Sequence, residues 1–352
     1  MVKLNETPVR TSRNFNINNI KLEDVNIPEN IESFRNIKIT GETSKVNIDS
    51  YNNNFDLTYG LGELLTNQVR EKANQNLKIT VDNKTNKEIG IEFKFDKENL
   101  VLVDNIDITV NEKCKGTIIL KYTSDNSTKG FHNGILRVLA KNESELNVIV
   151  LNLMNEFSNN FLAIENRIDS NAKVKYTVID FGAKNSITNY YSNLLGDLSD
   201  NSINTIYLGK GNQLFDLNYI AELRGKKSNI DIEVQGALKD NSKKHFKGTI
   251  DFKKGCKKST GNENESCMLL SDTARSLALP MLLCSEEEVE GNHSSSAGKI
   301  GEKELFYIMS RGFELKEAMK LMVRARFNKI LSNIKNEELK NEIIGEIDKR
   351  LD

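Results

Sequence analysis

The chain has 352 residues, enough for about two domains or one elongated architecture, and its 49 Lys and Arg against 50 Asp and Glu leave a net charge of −1. That balance gives no field to steer the chain onto nucleic acid or an anionic membrane, and no run approaches the roughly 18 apolar residues of a membrane span. A hydrophobic content of 38% with mean hydropathy −0.49 is low for a compact globule, yet Val, Ile and Leu recur too regularly for disorder.

The start, from Met1 to Pro8, has no apolar stretch of the signal-peptide kind, so the expected location is the cytoplasm. Residues 1–76 read as a polar, Asn-rich lead-in with short extended pieces such as Ile37–Thr40. One amphipathic helix is expected within Tyr59–Asn74, where Leu61, Leu64, Leu65 and Val69 recur at helical spacing.

Between residues 77 and 300 the period changes to two. Runs such as Leu77-Lys-Ile-Thr-Val81, Ile106-Asp-Ile-Thr-Val110, Leu146-Asn-Val-Ile-Val150 and Ile230-Asp-Ile-Glu-Val234 each read as a strand. Their bends share a small residue, Cys114, Ala172, Ala183 or Cys256, as a stacked coil requires where consecutive rungs approach to about 4.8 Å. A β-sandwich would carry more tight Asn-Gly or Asp-Gly hairpins, so the pattern predicts a mainly β chain built on a parallel β-helix.

Residues 301–352 return to a period of 3.6 and predict a helical domain closing one end of the solenoid. Glu302–Arg311 stops at Gly312, Glu314–Leu331 carries the stripe Leu315, Met319, Met322, Phe327 and Ile330, and Asn336 caps a last helix bearing Leu339, Ile343, Ile347 and Leu351. The second helix is apolar over a wider arc than packing on a solenoid end requires, which leaves both core packing and a partner-binding face open.

Few residues offer chemistry. Four cysteines, Cys114, Cys256, Cys267 and Cys284, form no C-x-x-C pair and are expected to be reduced thiols, with Cys267 and Cys284 in apolar runs. The segment Gly291 to Lys299 fails as a phosphate loop, because six residues separate its glycines and Ile300 follows the lysine, so no ATP site is expected. Of the three histidines, His245 falls on a wet strand face with Lys247, Thr249 and Asp251, and His132 reads as a turn residue before Asn133-Gly134. His293 shares parity with Val289 and Gly291 and precedes three serines; it is either a buried, hydrogen-bonded histidine or a functional one. The lysines between 243 and 258 and the acids between 286 and 290 read as solvated faces.

Leu269-Leu-Ser-Asp272, Pro280-Met-Leu, Glu288 to Gly298 with His293 at its centre, Leu305 to Gly312 and Glu317-Ala318 resemble the C-terminal signature of the SufB/SufD family of iron-sulfur cluster assembly proteins. His245-Phe-Lys-Gly-Thr-Ile resembles that family's F-x-G-x-I strand. The resemblance implies a right-handed parallel β-helix with flanking helices. It further implies a non-enzymatic scaffold working with a SufC-like ATPase and with a SufB-like subunit or a second copy of itself, and an iron-sulfur cluster held transiently at their interface.

His293 falls on the histidine that SufD presents to SufB, where it would take part in cluster assembly and hold iron transiently. Glu265 stands where SufB carries its sulfur-accepting cysteine, with Cys267 two residues away, which points to a SufD-like subunit. Leu305, Phe306, Arg311, Gly312, Met319, Met322 and Phe327 are the expected ATPase-docking residues. The alternative is a cytoplasmic β-solenoid enzyme acting on polysaccharide, which would need clustered acids and bases on one solenoid face.

Overall fold

A computed structural model describes residues 2–10, 17–23, 25–48 and 55–352. The remaining parts of the predicted lead-in, residues 1, 11–16, 24 and 49–54, lie outside the described residues. The lead-in contains β1 (Val2–Leu4), β2 (Ile20–Leu22), β3 (Ile37–Gly41) and β4 (Val46–Ile48). The predicted helix is present as α1 (Glu63–Lys72), shorter than its periodic stretch. Leu61 precedes it and Leu64 is exposed, while Leu65 and Val69 are buried.

Sixteen strands follow: β5 (Gln75–Val81), β6 (Lys87–Phe95), β7 (Val101–Val110), β8 (Lys115–Ser124), β9 (Phe131–Ala140), β10 (Glu145–Leu153), β11 (Asn159–Ile168), β12 (Lys173–Asp180), β13 (Asn185–Leu194), β14 (Asp200–Gly209), β15 (Leu214–Leu223), β16 (Asn229–Leu238), β17 (Lys243–Phe252), β18 (Ser259–Leu269), β19 (Arg275–Cys284) and β20 (Val289–Lys299). Each pairs in parallel with the strand two ahead, so odd strands form one sheet and even strands the other, in a parallel β-solenoid of about 8 turns. Side chains alternate in and out along every strand, and the inward rows of both sheets make one continuous apolar core.

The corners explain the small residues. At six of them a residue with positive φ, Lys113, Glu143, Asn171, Leu198, Lys227 or Lys258, donates its backbone N–H to a carbonyl of the next coil at 2.5–3.1 Å. In the first five, the residue after it turns into the narrow corner and is buried: Cys114, Ser144, Ala172, Ser199 and Ser228. A left-handed residue costs about 1–2 kcal/mol, which the hydrogen bond between coils offsets. Cys256 is buried in the same type of corner after Gly255. Ala183 differs from expectation: it is itself the left-handed residue, at the opposite corner between β12 and β13.

The two ends of the solenoid are unlike. At the first, β3 and β4 pair antiparallel with β6 and β5 and cap both sheets, while Phe34 packs into the core against Phe93 and Phe95. At the last, β19 and β20 have no partner on their outer edges among the described residues.

The C-terminal helices α2 (Glu302–Ser310), α3 (Leu315–Leu331) and α4 (Glu337–Leu351) agree closely with the periodic reading. Gly312 has φ +96 and Asn336 accepts from the Leu339 N–H at 3.1 Å. Their position corrects it. Val323, Phe327, Ile330, Ile343 and Ile347 pack on Ile149, Leu151, Ile179, Phe181, Ile206 and Leu208, the outer face of the even sheet, so α3 and α4 flank the solenoid and leave its end open. The reason lies in the strands: the second halves of β10, β12 and β14 carry Ile149, Leu151, Ile179, Ile206 and Leu208 on their outward rows, an apolar patch that must be covered. The lead-in and α1 do the same for the odd sheet, through Leu65 and Val69 on Val103, Ile135, Phe161 and Ile187.

Candidate functional site

β18 carries Gly261, Glu263, Glu265 and Cys267 on its inward row, and β20 continues that row at the open end with Gly291, His293, Ser295 and Ala297. Register pairs Glu263 with His293, Glu265 with Ser295 and Cys267 with Ala297. The strand before faces them from the odd sheet: β17 places Lys244, Phe246 and Gly248 inward. Six inward positions in three strands thus put two carboxylates, an ammonium, a thiol, an imidazole and a hydroxyl at one end of the lumen.

Glu265 is fully buried and satisfied. Lys244 Nζ, equally buried, lies 2.6 Å from its Oε1 and donates to the Leu277 carbonyl; Tyr207 Oη donates to the same carboxylate oxygen at 3.3 Å, and Ser295 Oγ to Oε2 at 2.8 Å. A buried pair of this kind adds little net stability, but removing one partner typically costs 3–5 kcal/mol because a charge is left unpaired. Cys267, 2% exposed, has its thiol pushed up by burial, against the opposing pull of the Lys244 charge. It sits four residues from Glu263, about 13 Å along the strand, so it is not beside His293.

Glu263 is different. It is 3% exposed, and neither carboxylate oxygen has a hydrogen-bond partner. Burial, with the Glu265 charge added, pushes its carboxyl up to about 8. Its carboxylate crosses the lumen to lie over Gly248, where a Cβ would meet Oε2 at 2.0 Å. A larger residue at this position of the Phe246-Lys-Gly248-Thr-Ile strand would have to push the carboxylate aside.

His293 is exposed on the last strand, which removes the reading of a packed core histidine. The other histidine expectations change as well. His132 is not in a turn but inside β9, wholly buried, with Nδ1 2.6 Å from Asn160 Oδ1 and Nε2 3.0 Å from Asp104 Oδ2, its ring stacked on Tyr122 at 4.2 Å. It begins a buried polar seam that runs through Asn160 and Ser186 to Asp180, whose carboxyl burial pushes up to about 7. His245 is partly exposed, but its expected wet face is covered: Lys247 and Thr249 are fully buried, and Lys247 Nζ bonds Asp216 Oδ1 at 2.6 Å and the Asn5 carbonyl at 2.9 Å. The lead-in lies over that face. Lys244 and Lys247, read as part of a solvated lysine face, are thus interior ion-pair residues.

On the helices, Phe306 (73%), Tyr307, Met309, Phe313 and Leu315 are exposed and contiguous along α2 and the start of α3. Arg311 and Gly312 are exposed, and Leu305, Met319 and Met322 are half-buried. Phe327 does not belong with them: it is fully buried, its ring 6.3 Å from that of Phe181, because α3 uses this side to hold the solenoid. Lys244, Glu263 and Tyr207 escaped sequence reasoning. The signal in the text was a lysine at the parity of Phe246 and Ile250 and two glutamates at the parity of Cys267.

Among the described residues no group of three or more His, Cys, Asp or Glu converges as a metal site, and no helix is long and apolar enough to cross a membrane. In comparison with known proteins, residues 93–326, about two thirds of the chain, match the family described as "SUF system FeS cluster assembly, SufBD core domain". Similar proteins include the iron-sulfur cluster assembly protein SufD of Bacillus subtilis, 26% identical over 180 residues, covering 51% of this chain and 41% of the relative. A SufBD family protein of Pyrococcus horikoshii is 25% identical, covering 67% of this chain and 51% of the relative. The SufD of Escherichia coli is 21% identical, covering 68% and 57%. The chain therefore aligns with about half the length of these relatives.

Proposed function

The chain belongs to the SufBD family of iron-sulfur cluster assembly proteins, and from that premise we propose that it is a SufD-like scaffold subunit, without catalytic turnover of its own, that helps to build a cluster at a subunit interface. The observation that carries this reading is the open end. Two long edge strands stand side by side with their outer backbone groups unpaired, an arrangement proteins ordinarily avoid unless another strand covers it. His293 lies on that edge, in the row that faces the lumen, so a SufB-like chain or a second copy docked there would meet its imidazole. Neutral imidazole is a borderline ligand suited to iron. The cluster is cargo, held transiently between the two subunits.

The exposed aromatic surface of α2 is where a SufC-like ATPase would dock, with Phe306 as its centre, and residues 77–300 and 301–352 then act as scaffold and docking domain in the cytoplasm. Glu265, held by Lys244, Tyr207 and Ser295, is a structural residue in this scheme, and Cys267, two register positions beyond Ser295 and about 13 Å along the strand from Glu263, does not lie beside His293 to pass sulfur to it. The assembly reading replaces that of a polysaccharide-acting enzyme. The test is reconstitution with SufB-like and SufC-like partners. His293→Ala should leave complex formation intact and abolish cluster yield, and normal assembly by that variant would refute the site. Phe306→Asp should release the ATPase while the fold, followed by circular dichroism, is unchanged.

A further inference from the structure

Among the described residues, Glu263 is the buried carboxylate with no hydrogen-bond partner on either oxygen. Beneath it along the even sheet stands Ile232, across the lumen Gly248, and on its own strand Glu265, whose charge is already taken by Lys244. On the side of the open end stands His293, its register partner on β20, with a side chain that starts about 4.8 Å away on the same face. A buried carboxylate without donors is expensive, and it is kept neutral by a proton or compensated by a cation. Here the glycine strand opposite leaves a cradle that holds the carboxylate clear of other donors.

We propose that Glu263 is a second ligand, beside His293, for a divalent first-row metal ion arriving at the open end. The inference rests on the assembly reading and adds to it a hard oxygen donor beside the imidazole. Oxygen and nitrogen together suit Fe2+, Mn2+ or Co2+ better than Ca2+, which takes oxygen alone. This chain supplies two ligands, and water or the subunit docked on the edge supplies the rest. Gly248 acts as a positioning residue, since it holds the carboxylate in the lumen without touching the metal.

The experiment is anaerobic titration of the full-length chain, without partners, with Co2+, followed by its visible absorption. The wild type should bind one ion, and His293→Ala should lose it. Glu263→Gln, which keeps shape and removes charge, should weaken binding by at least about tenfold, and Gly248→Ala, which displaces the carboxylate, by a similar factor. Thermal unfolding of each variant keeps loss of fold apart from loss of ligand. No Co2+ binding by a folded wild-type chain, or equal binding by folded Glu263→Gln, would overturn the proposal. The assembly reading fails separately, if His293→Ala builds clusters normally in the reconstituted complex.

Discussion

At the scale of single residues, the lumen holds groups whose protonation differs between the folded and unfolded chain. Glu263, at about 8, and Asp180, at about 7, both lie above the ordinary carboxyl values of 4.5 and 3.8 because burial disfavours their charge. Within that window the unfolded chain has released protons that the folded chain retains. Stability therefore falls as pH rises from about 4 toward 7 for Asp180, and from about 4.5 toward 8 for Glu263, by at most about 1.4 kcal/mol per pH unit for each group. Glu263→Gln should raise the melting temperature at pH 8 and flatten its decline between pH 5 and 8, as calorimetry in a buffer series would record; a decline as steep as in the wild type would show that the Glu263 carboxyl is not neutral at pH 7. The cysteines offer a second readout. Cys284 is exposed, whereas Cys267 is buried with its thiol pushed up, so iodoacetamide at neutral pH should label Cys284 first and Cys267 only on unfolding. Peptide mass spectrometry would reveal the reverse order if Cys267 were accessible through the open end.

At the scale of elements, the two terminal strands have no pairing strand on their outer edges among the described residues, and in the proposed function a partner covers them. β19 presents Leu277, 48% exposed, beside backbone groups that no strand pairs. A charged side chain there should discourage strand addition without disturbing the solenoid, because edge lysines are a common means of blocking such pairing. Leu277→Lys is expected to separate the subunits in size-exclusion chromatography with light scattering, and an unchanged assembly would place the interface elsewhere. The helices have an independent handle in Asn336, whose side chain caps α4. Asn336→Ala should cost about 1 kcal/mol in urea unfolding. That small loss, set against binding by Phe306→Asp, distinguishes stability of the helical region from the docking role proposed for it.

At the scale of the molecule, the described residues cover the solenoid on both flanks and at one end and leave the far end bare. The even sheet has an outer face of Ile149, Leu151, Ile179, Phe181, Ile206 and Leu208 that α3 and α4 cover. A chain ending at residue 300 should therefore be soluble only with detergent, or aggregate on expression, with its apolar flank open. A well-behaved monomer of that length would show that the flank is not the reason for the helices. The arrangement also gives the molecule a direction. Each coil rests on the next, so stability is propagated from the Phe34 cap toward β20, and the last coil, with one neighbour fewer, is where local opening is expected in hydrogen exchange.

Much of this architecture was legible in the text of the chain, because it depends on local rules. Period-two runs make strands, a small residue after each bend makes a coil rather than a hairpin, and Gly312 and Asn336 bound the helices by conformations and hydrogen bonds that involve only near neighbours. The motif around His293 was legible for the same reason. What the tertiary structure alone decided is which polar side chains meet. Lys244 and Glu265 are 21 residues apart and lie in opposite sheets, Gly248 and Glu263 face one another across the lumen, and Asn5 reaches Lys247 over 242 positions. Parity along a strand says that a residue points to one side. It does not say whether that side is lumen, a flank covered by helices or lead-in, or water, since this depends on which elements the apolar flanks draw onto themselves. For that reason Lys247, read on a wet face, and Phe327, read as a docking residue, are buried, and His293, at the edge of the last coil, is not.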